Sequence, residues 1–111
     1  MAEDFKGVNY YLNTPAVVAH DNRLKPNAKL FFGEIYSLAN VYGDVYISNA
    51  ALAQRYELTV DAASRLISQL VKYGYITIEL HYKEGTKQVI KRSIKVSPYR
   101  INSLYPTGQK V

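Results

Sequence analysis

The chain has 111 residues, a formal charge of +5, 48% hydrophobic residues and no cysteine. That length closes one small core, the hydrophobic content argues against wholesale disorder, and the lack of cysteine excludes disulfides and thiolate metal sites. The apolar runs are too short to span a bilayer and the start MAEDFKG is not a signal peptide, so a soluble, cytoplasmic protein is expected.

Residues 1–24 read as an N-terminal arm. VNYYLNT alternates weakly around Val8, Tyr10 and Leu12, then Pro15 breaks it, so a short strand or extended segment followed by a turn or short helix is expected. The first long helix opens at Pro26, where no amide hydrogen is needed, and stops at Gly43. Ala28, Phe31, Phe32, Ile35, Leu38, Ala39 and Tyr42 recur at helical spacing and mark its core face. Leu30 and Val41 fall on the opposite face and need a cover, either the arm or a second subunit.

VYIS reads as a brief strand, and Ser48 as the cap of the helix NAALAQRY. After the tight turn ELT, Thr59 caps a third helix whose apolar arc is Val60, Ala63, Leu66, Ile67, Leu70 and Val71, ended by Gly74. YITIELHYK alternates strictly, with Ile76, Ile78, Leu80 and Tyr82 on one face. Gly85 centres a turn, and KQVIKRSIKVS returns with Ile90, Ile94 and Val96 on the inner parity. Arg92 shares that parity, which predicts a bulge or a carboxylate partner. Residues 98–111 carry two prolines and no periodicity, and read as a tail or the start of a linker.

Three helices followed by a two-stranded antiparallel ribbon define an α+β fold, the winged helix-turn-helix, over residues 25–97. The charge is polar along the chain. Between residues 72 and 100 seven bases face two acids, whereas residues 1–71 hold six bases and seven acids. A polyanion suits such a pole, nucleic acid ahead of an anionic membrane, although lysines that merely keep a strand surface soluble give the same count.

The segments LKPNAKLFFGEIYSLAN, NAALAQRYELTVDAASRLISQLVKYGYI and KQVIKRSIKV resemble the N-terminal winged-helix domain of phage and plasmid replication initiators of Gram-positive bacteria. The resemblance covers about residues 8–97. It implies duplex DNA as partner, with the third helix in the major groove and the hairpin beside the backbone. Regulators of transcription share the pattern. Two departures stand out. Lys25 occupies the position where the family usually caps the first helix with Ser or Thr. Glu57, Leu58, Thr59, Val60, Asp61 and Ala62 replace a run that commonly starts with glycine and continues through Ser and Lys or Arg.

On the third helix, Arg65 can pair with guanine, Gln69 with adenine or less strictly guanine, and Asp61 with the cytosine amine. Ala62 can meet a thymine methyl, while Thr59, Ser64 and Ser68 suit phosphates or bases, and Lys72 closes the row. Against this, Asp61 and Arg65 stand at the spacing of a surface ion pair, which would leave the exposed face nearly neutral. Packing or a protein contact is then the alternative role. Lys83, Lys87, Lys91 and Lys95 are placed to line the outer face and tip of the wing as phosphate contacts. A rival of another class is a dimeric, protein-binding adaptor that has lost DNA reading, using Tyr10, Tyr11, Leu30 and Val41 as its interface. Under the first reading the partners are duplex DNA, further replication or phage proteins and, for a dimer, a second copy; no membrane is expected. His20 and His81 stand far apart with no cysteine or paired carboxylate to join them, so neither catalysis, metal nor cofactor is expected.

Overall fold

The computed structural model describes residues 11–97. Their order is α1 (Ala16–Ala19), α2 (Pro26–Tyr42), α3 (Asn49–Arg55), α4 (Val60–Lys72), β1 (Ile76–Tyr82) and β2 (Val89–Val96). The two strands pair antiparallel, with Ile76 opposite Val96 and Ile78 opposite Ile94. This is a winged helix-turn-helix: α2, α3 and α4 are the three expected helices, the hairpin is the wing, and α1 is a single turn inside the arm.

Local chemistry sets the boundaries. Pro26 opens α2 with no side-chain cap from Lys25. Ser48 Oγ accepts the backbone N–H of Ala51 at 3.0 Å and Thr59 Oγ1 that of Ala62 at 3.1 Å, which satisfies amides otherwise orphaned at the starts of α3 and α4. At the end of α4, Gly74 takes φ 82, its N–H bonds Val71 O at 3.0 Å, and Tyr75 N–H bonds Leu70 O at 3.0 Å. This paired closure needs a left-handed residue, which glycine adopts without a Cβ clash. It delivers Tyr75 straight into the core.

That core joins every element. Phe31, Phe32 and Ile35 of α2 meet Leu52 of α3, and Ala63, Leu66, Ile67 and Leu70 of α4, with Ile76 and Ile94 of the wing closing one side. The arm belongs to it as well, since Val18 and Leu24 are buried. Each fully buried Phe, Leu or Ile contributes about 1.5–3 kcal/mol. Tyr75 packs edge-on against Phe32 at 5.9 Å between centroids. Its hydroxyl donates to Asp21 Oδ2 at 2.7 Å, while Arg23 Nε and Nη2 donate to the same carboxylate at 2.9 and 2.6 Å. Between α2 and α3, the buried Glu34 accepts from Arg55 Nη1 at 2.6 Å and from the Tyr56 hydroxyl at 2.7 Å.

Several expectations change. VYIS does not form a strand, because pairing there is limited to one bridge between Val45 and Ile94. Tyr42, Val60 and Val71, each assigned to an apolar face, are exposed because they lie at helix ends that run past the small core. Ile90 is exposed at the bulge where the ladder shifts between His81 and Tyr82. Arg92, two residues on, finds neutral oxygens and not a carboxylate: its Nη2 donates to Ile47 O at 3.0 Å and Asn49 Oδ1 at 2.7 Å. Leu80 and Tyr82 keep the inner parity but extend beyond the core and are exposed.

The arm lies along one stripe of α2. Asn13 N–H donates to Ser37 Oγ at 2.8 Å, and a Cβ at Gly33 would sit 2.5 Å from Thr14 Oγ1. Leu30 and Val41 flank this contact on the same stripe and stay 43% and 56% exposed. The strand expected around Val8 and Tyr10, the interface role of Tyr10 and the 98–111 tail lie outside the described residues.

Glu57, which stands where the resembling proteins place glycine, takes a left-handed φ of 57. Glu57→Gly is therefore expected to stabilise the fold by about 0.5–1 kcal/mol in urea denaturation, the relief of the Cβ clash being partly offset by glycine's greater freedom when unfolded. A second prediction concerns Asp21, held well below the usual carboxylate range, chiefly by its hydrogen bond from Arg23 and further by that from Tyr75. A carboxyl lowered in the folded state contributes stability that is complete above its unfolded pKa, about 4, and fades as pH falls toward the folded value. Asp21→Asn should thus be less stable than wild type at pH 7, and the gap should narrow steadily in melts taken below pH 4.

Candidate nucleic-acid interface

α4 presents two rows of polar side chains. Asp61, Arg65, Ser68 and Lys72 follow one another at steps of four, three and four, and all are exposed. Ala62, Ser64 and Gln69 are half-buried beside them. A concavity along the helix is lined by Ser64, Arg65, Ser68, Gln69, Lys72 and Tyr73. A second runs between α4 and the start of α2, where Lys25, Asn27, Leu58 and Ala62 join Arg65 and Gln69.

The fold already uses part of this surface. The Thr59 hydroxyl is the cap of α4. Ser64 Oγ accepts from Asn49 Nδ2 at 2.9 Å, and Asn49 Oδ1 in turn accepts from Arg92, so a continuous polar chain runs from β2 through the start of α3 to α4. Burial lowers the pKa of the Arg92 guanidinium. Gln69 Oε1 accepts the backbone N–H of Lys25 at 2.8 Å, tying α4 to the first turn of α2. By contrast, Asp61 and Arg65 form no ion pair with each other, and Arg65 has no hydrogen-bond partner among the described residues.

The wing lysines divide likewise. Lys95 Nζ lies 3.0 Å from Asp44 Oδ1. That contact raises the lysine's pKa and is the main cause of the lowered pKa of Asp44, with the Tyr46 hydroxyl adding to it from 3.2 Å. Desolvation, followed by Asp44, raises the pKa of Tyr46. Lys91 Nζ sits 5.0 Å from the Tyr46 ring centroid, a cation–π distance. Lys83 and Lys87 flank the Gly85 turn at the exposed tip, and no ion pair engages them among the described residues. Three wing lysines therefore face solvent without an ion pair among the described residues, where the sequence predicts four. Leu80, Tyr82, Val89 and Ile90 form an exposed apolar strip on the same hairpin.

Asn49, Tyr46 and the Lys25 amide belong to this surface although no sequence signal marks them. Nothing in one sequence links residue 25 to 69 or 49 to 92, since periodicity reports only neighbours along an element. Tyr75 did have a signal: the residue that follows a helix-terminating glycine commonly packs back on the last turn.

Residues 22–76 match the family model of a helix-turn-helix domain, from the end of the arm to the first residue of β1. No curated protein and no solved structure matches the chain. The fold and the match agree on a helix-turn-helix domain with a wing. No helix among the described residues is long and apolar enough to cross a membrane.

Because Asp44 holds Lys95, Asp44→Asn should release one cation to the wing face. Binding to any duplex at low salt is expected to tighten, and the slope of log K against log salt to steepen by up to about 0.9. Fluorescence anisotropy across a salt series measures both.

Proposed function

We propose that this chain binds duplex DNA with α4 in the major groove and the wing lysines on the adjoining phosphates. The observation that carries the reading is the exposed row Asp61, Arg65, Ser68 and Lys72, in which Arg65 is left unengaged by the fold around it. A guanidinium free on the outer face of such a helix suits bidentate pairing with guanine, and Lys83, Lys87 and Lys91 add charge that needs no particular sequence. The particular duty we infer is origin recognition in a phage or plasmid replication initiator. Its support is the resemblance of the three segments quoted above. A regulator of transcription would use the same face in the same way.

A protein-binding adaptor is the second reading, favoured by the apolar strip of Leu80, Tyr82, Val89 and Ile90 together with Leu30 and Val41. One experiment separates the two: duplex binding over a salt series with Lys87→Glu and Arg65→Ala. For DNA binding, Lys87→Glu weakens all sequences alike and flattens the salt slope by about 0.9 or more. Arg65→Ala loses roughly 1–3 kcal/mol on a preferred site and little elsewhere. Absence of duplex affinity at low salt would sink the proposal and leave the adaptor.

A further inference from the structure

Asn49 opens α3, half-buried, with its amide engaged at both ends. Its Oδ1 accepts from Arg92 Nη2 at 2.7 Å, and the same nitrogen donates to Ile47 O at 3.0 Å. An arginine can only donate, so the oxygen of Asn49 is the atom turned to the wing and the NH2 is the atom turned to α4. That NH2 donates in turn to Ser64 Oγ at 2.9 Å. The direction of donation is therefore fixed from Arg92 through Asn49 to Ser64. Ser64 keeps one lone pair and its O–H, and the hydrogen has no acceptor among the described residues. The side chain is half-buried, yet it lines the concavity along α4 with Arg65 and Ser68.

From this we infer that Asn49 is a positioning residue, which turns the Ser64 hydroxyl outward to donate to a phosphate oxygen of duplex DNA. The inference rests on the reading that α4 enters the major groove. In a helix-turn-helix, the helix before the reading helix crosses the phosphate backbone. Here α3 is that helix, and Ser64 is the α4 side chain bonded to its first residue, which places it toward the strand that α3 crosses. A phosphate oxygen has no hydrogen to give, so it meets the O–H and leaves the remaining lone pair of Oγ idle.

Two effects favour this contact. The hydroxyl could turn its hydrogen onto Asn49 only if the amide showed its oxygen there, and Arg92 holds that oxygen on the other side. Donors that follow one another in one direction also polarise each other, so the charge of Arg92 makes Ser64 a stronger donor. The contact itself is neutral. It adds affinity for every sequence without steepening the salt dependence, in contrast to the wing lysines.

The test is duplex affinity of the full chain over a salt series, for wild type, Ser64→Ala, Asn49→Asp and the two changes combined. Asn49→Asp keeps an acceptor for Arg92, and so the tie to the wing, while its carboxylate draws the Ser64 hydrogen inward. Asn49→Ala, which adds no charge, is taken through the same cycle, and melts of the free proteins measure the structural share. The result expected is that Ser64→Ala weakens all sequences alike by about two- to tenfold, with the salt slope unchanged. Each Asn49 change should also cost more affinity with Ser64 in place than in the Ser64→Ala background. A bond that merely holds the helices together couples the two positions in the melts and leaves the affinities additive, which overturns the inference. So does a Ser64→Ala protein that binds like wild type, or that loses affinity for one sequence alone. A wild type without affinity for any duplex fails the underlying reading, and this inference with it.

Discussion

The left-handed turn at Gly74 is the constraint from which the remaining geometry follows. It closes α4 with two backbone bonds and sends Tyr75 under Phe32 and onto Asp21. Three separate things are fixed there: the exit direction of the wing, the seat of the arm, and the rotation of α4 about its own axis. A residue with a Cβ would resist that φ, and an alternative ending would carry Tyr75 out of the core. Arg23 completes the junction by lying 4.3 Å from the Tyr73 ring while it bonds Asp21. The arm is in this sense part of the domain's foundation.

The rotation of α4 then decides which polar groups remain for a partner. Inward of the exposed row, each hydrogen-bonding side chain answers to another element: Ser64 to Asn49, and through it to Arg92 of the wing, and Gln69 to the start of α2. These bonds hold the helix, the wing and α2 at one mutual angle. The same bonds fix how Ser64 and Gln69 are turned on that surface. Scaffold and recognition draw on a common stock of side chains, so a substitution at Asn49 or Arg92 would be felt on α4 although neither faces outward with it.

The architecture was largely legible in the sequence because it is written in local signals. Pro26, Ser48, Thr59, Gly43 and Gly74 mark the ends of their helices in sequence and structure alike. The left-handed Glu57 is also foreshadowed, since it stands where the resembling proteins place glycine. Less was legible where periodicity meets the edge of a small core. Val60, Val71 and Tyr42 obey the helical repeat yet have nothing to pack against, and VYIS has strand composition but only one bridge. The site was the least legible part. Composition placed Arg65, Gln69 and the lysines on the right elements. It could not show that Asp61 leaves Arg65 alone, that Asp44 takes Lys95, or that the Gln69 oxygen bonds a backbone amide 44 residues away.

The hairpin described above carries an apolar strip and, at β1, an edge that pairs with no strand but β2 among the described residues. Such edges invite the same edge of another copy. Lys83, Lys87 and Lys91 counter this, because identical positive tips repel at short range. Dissolved ions screen that repulsion within about 10 Å at 0.1 M. Ionic strength therefore acts on the wing in two opposite senses, weakening the hold on a polyanion proposed for it while relaxing the barrier between like molecules. The same three lysines thus enter both the colloidal behaviour of the protein and the duplex binding proposed for it.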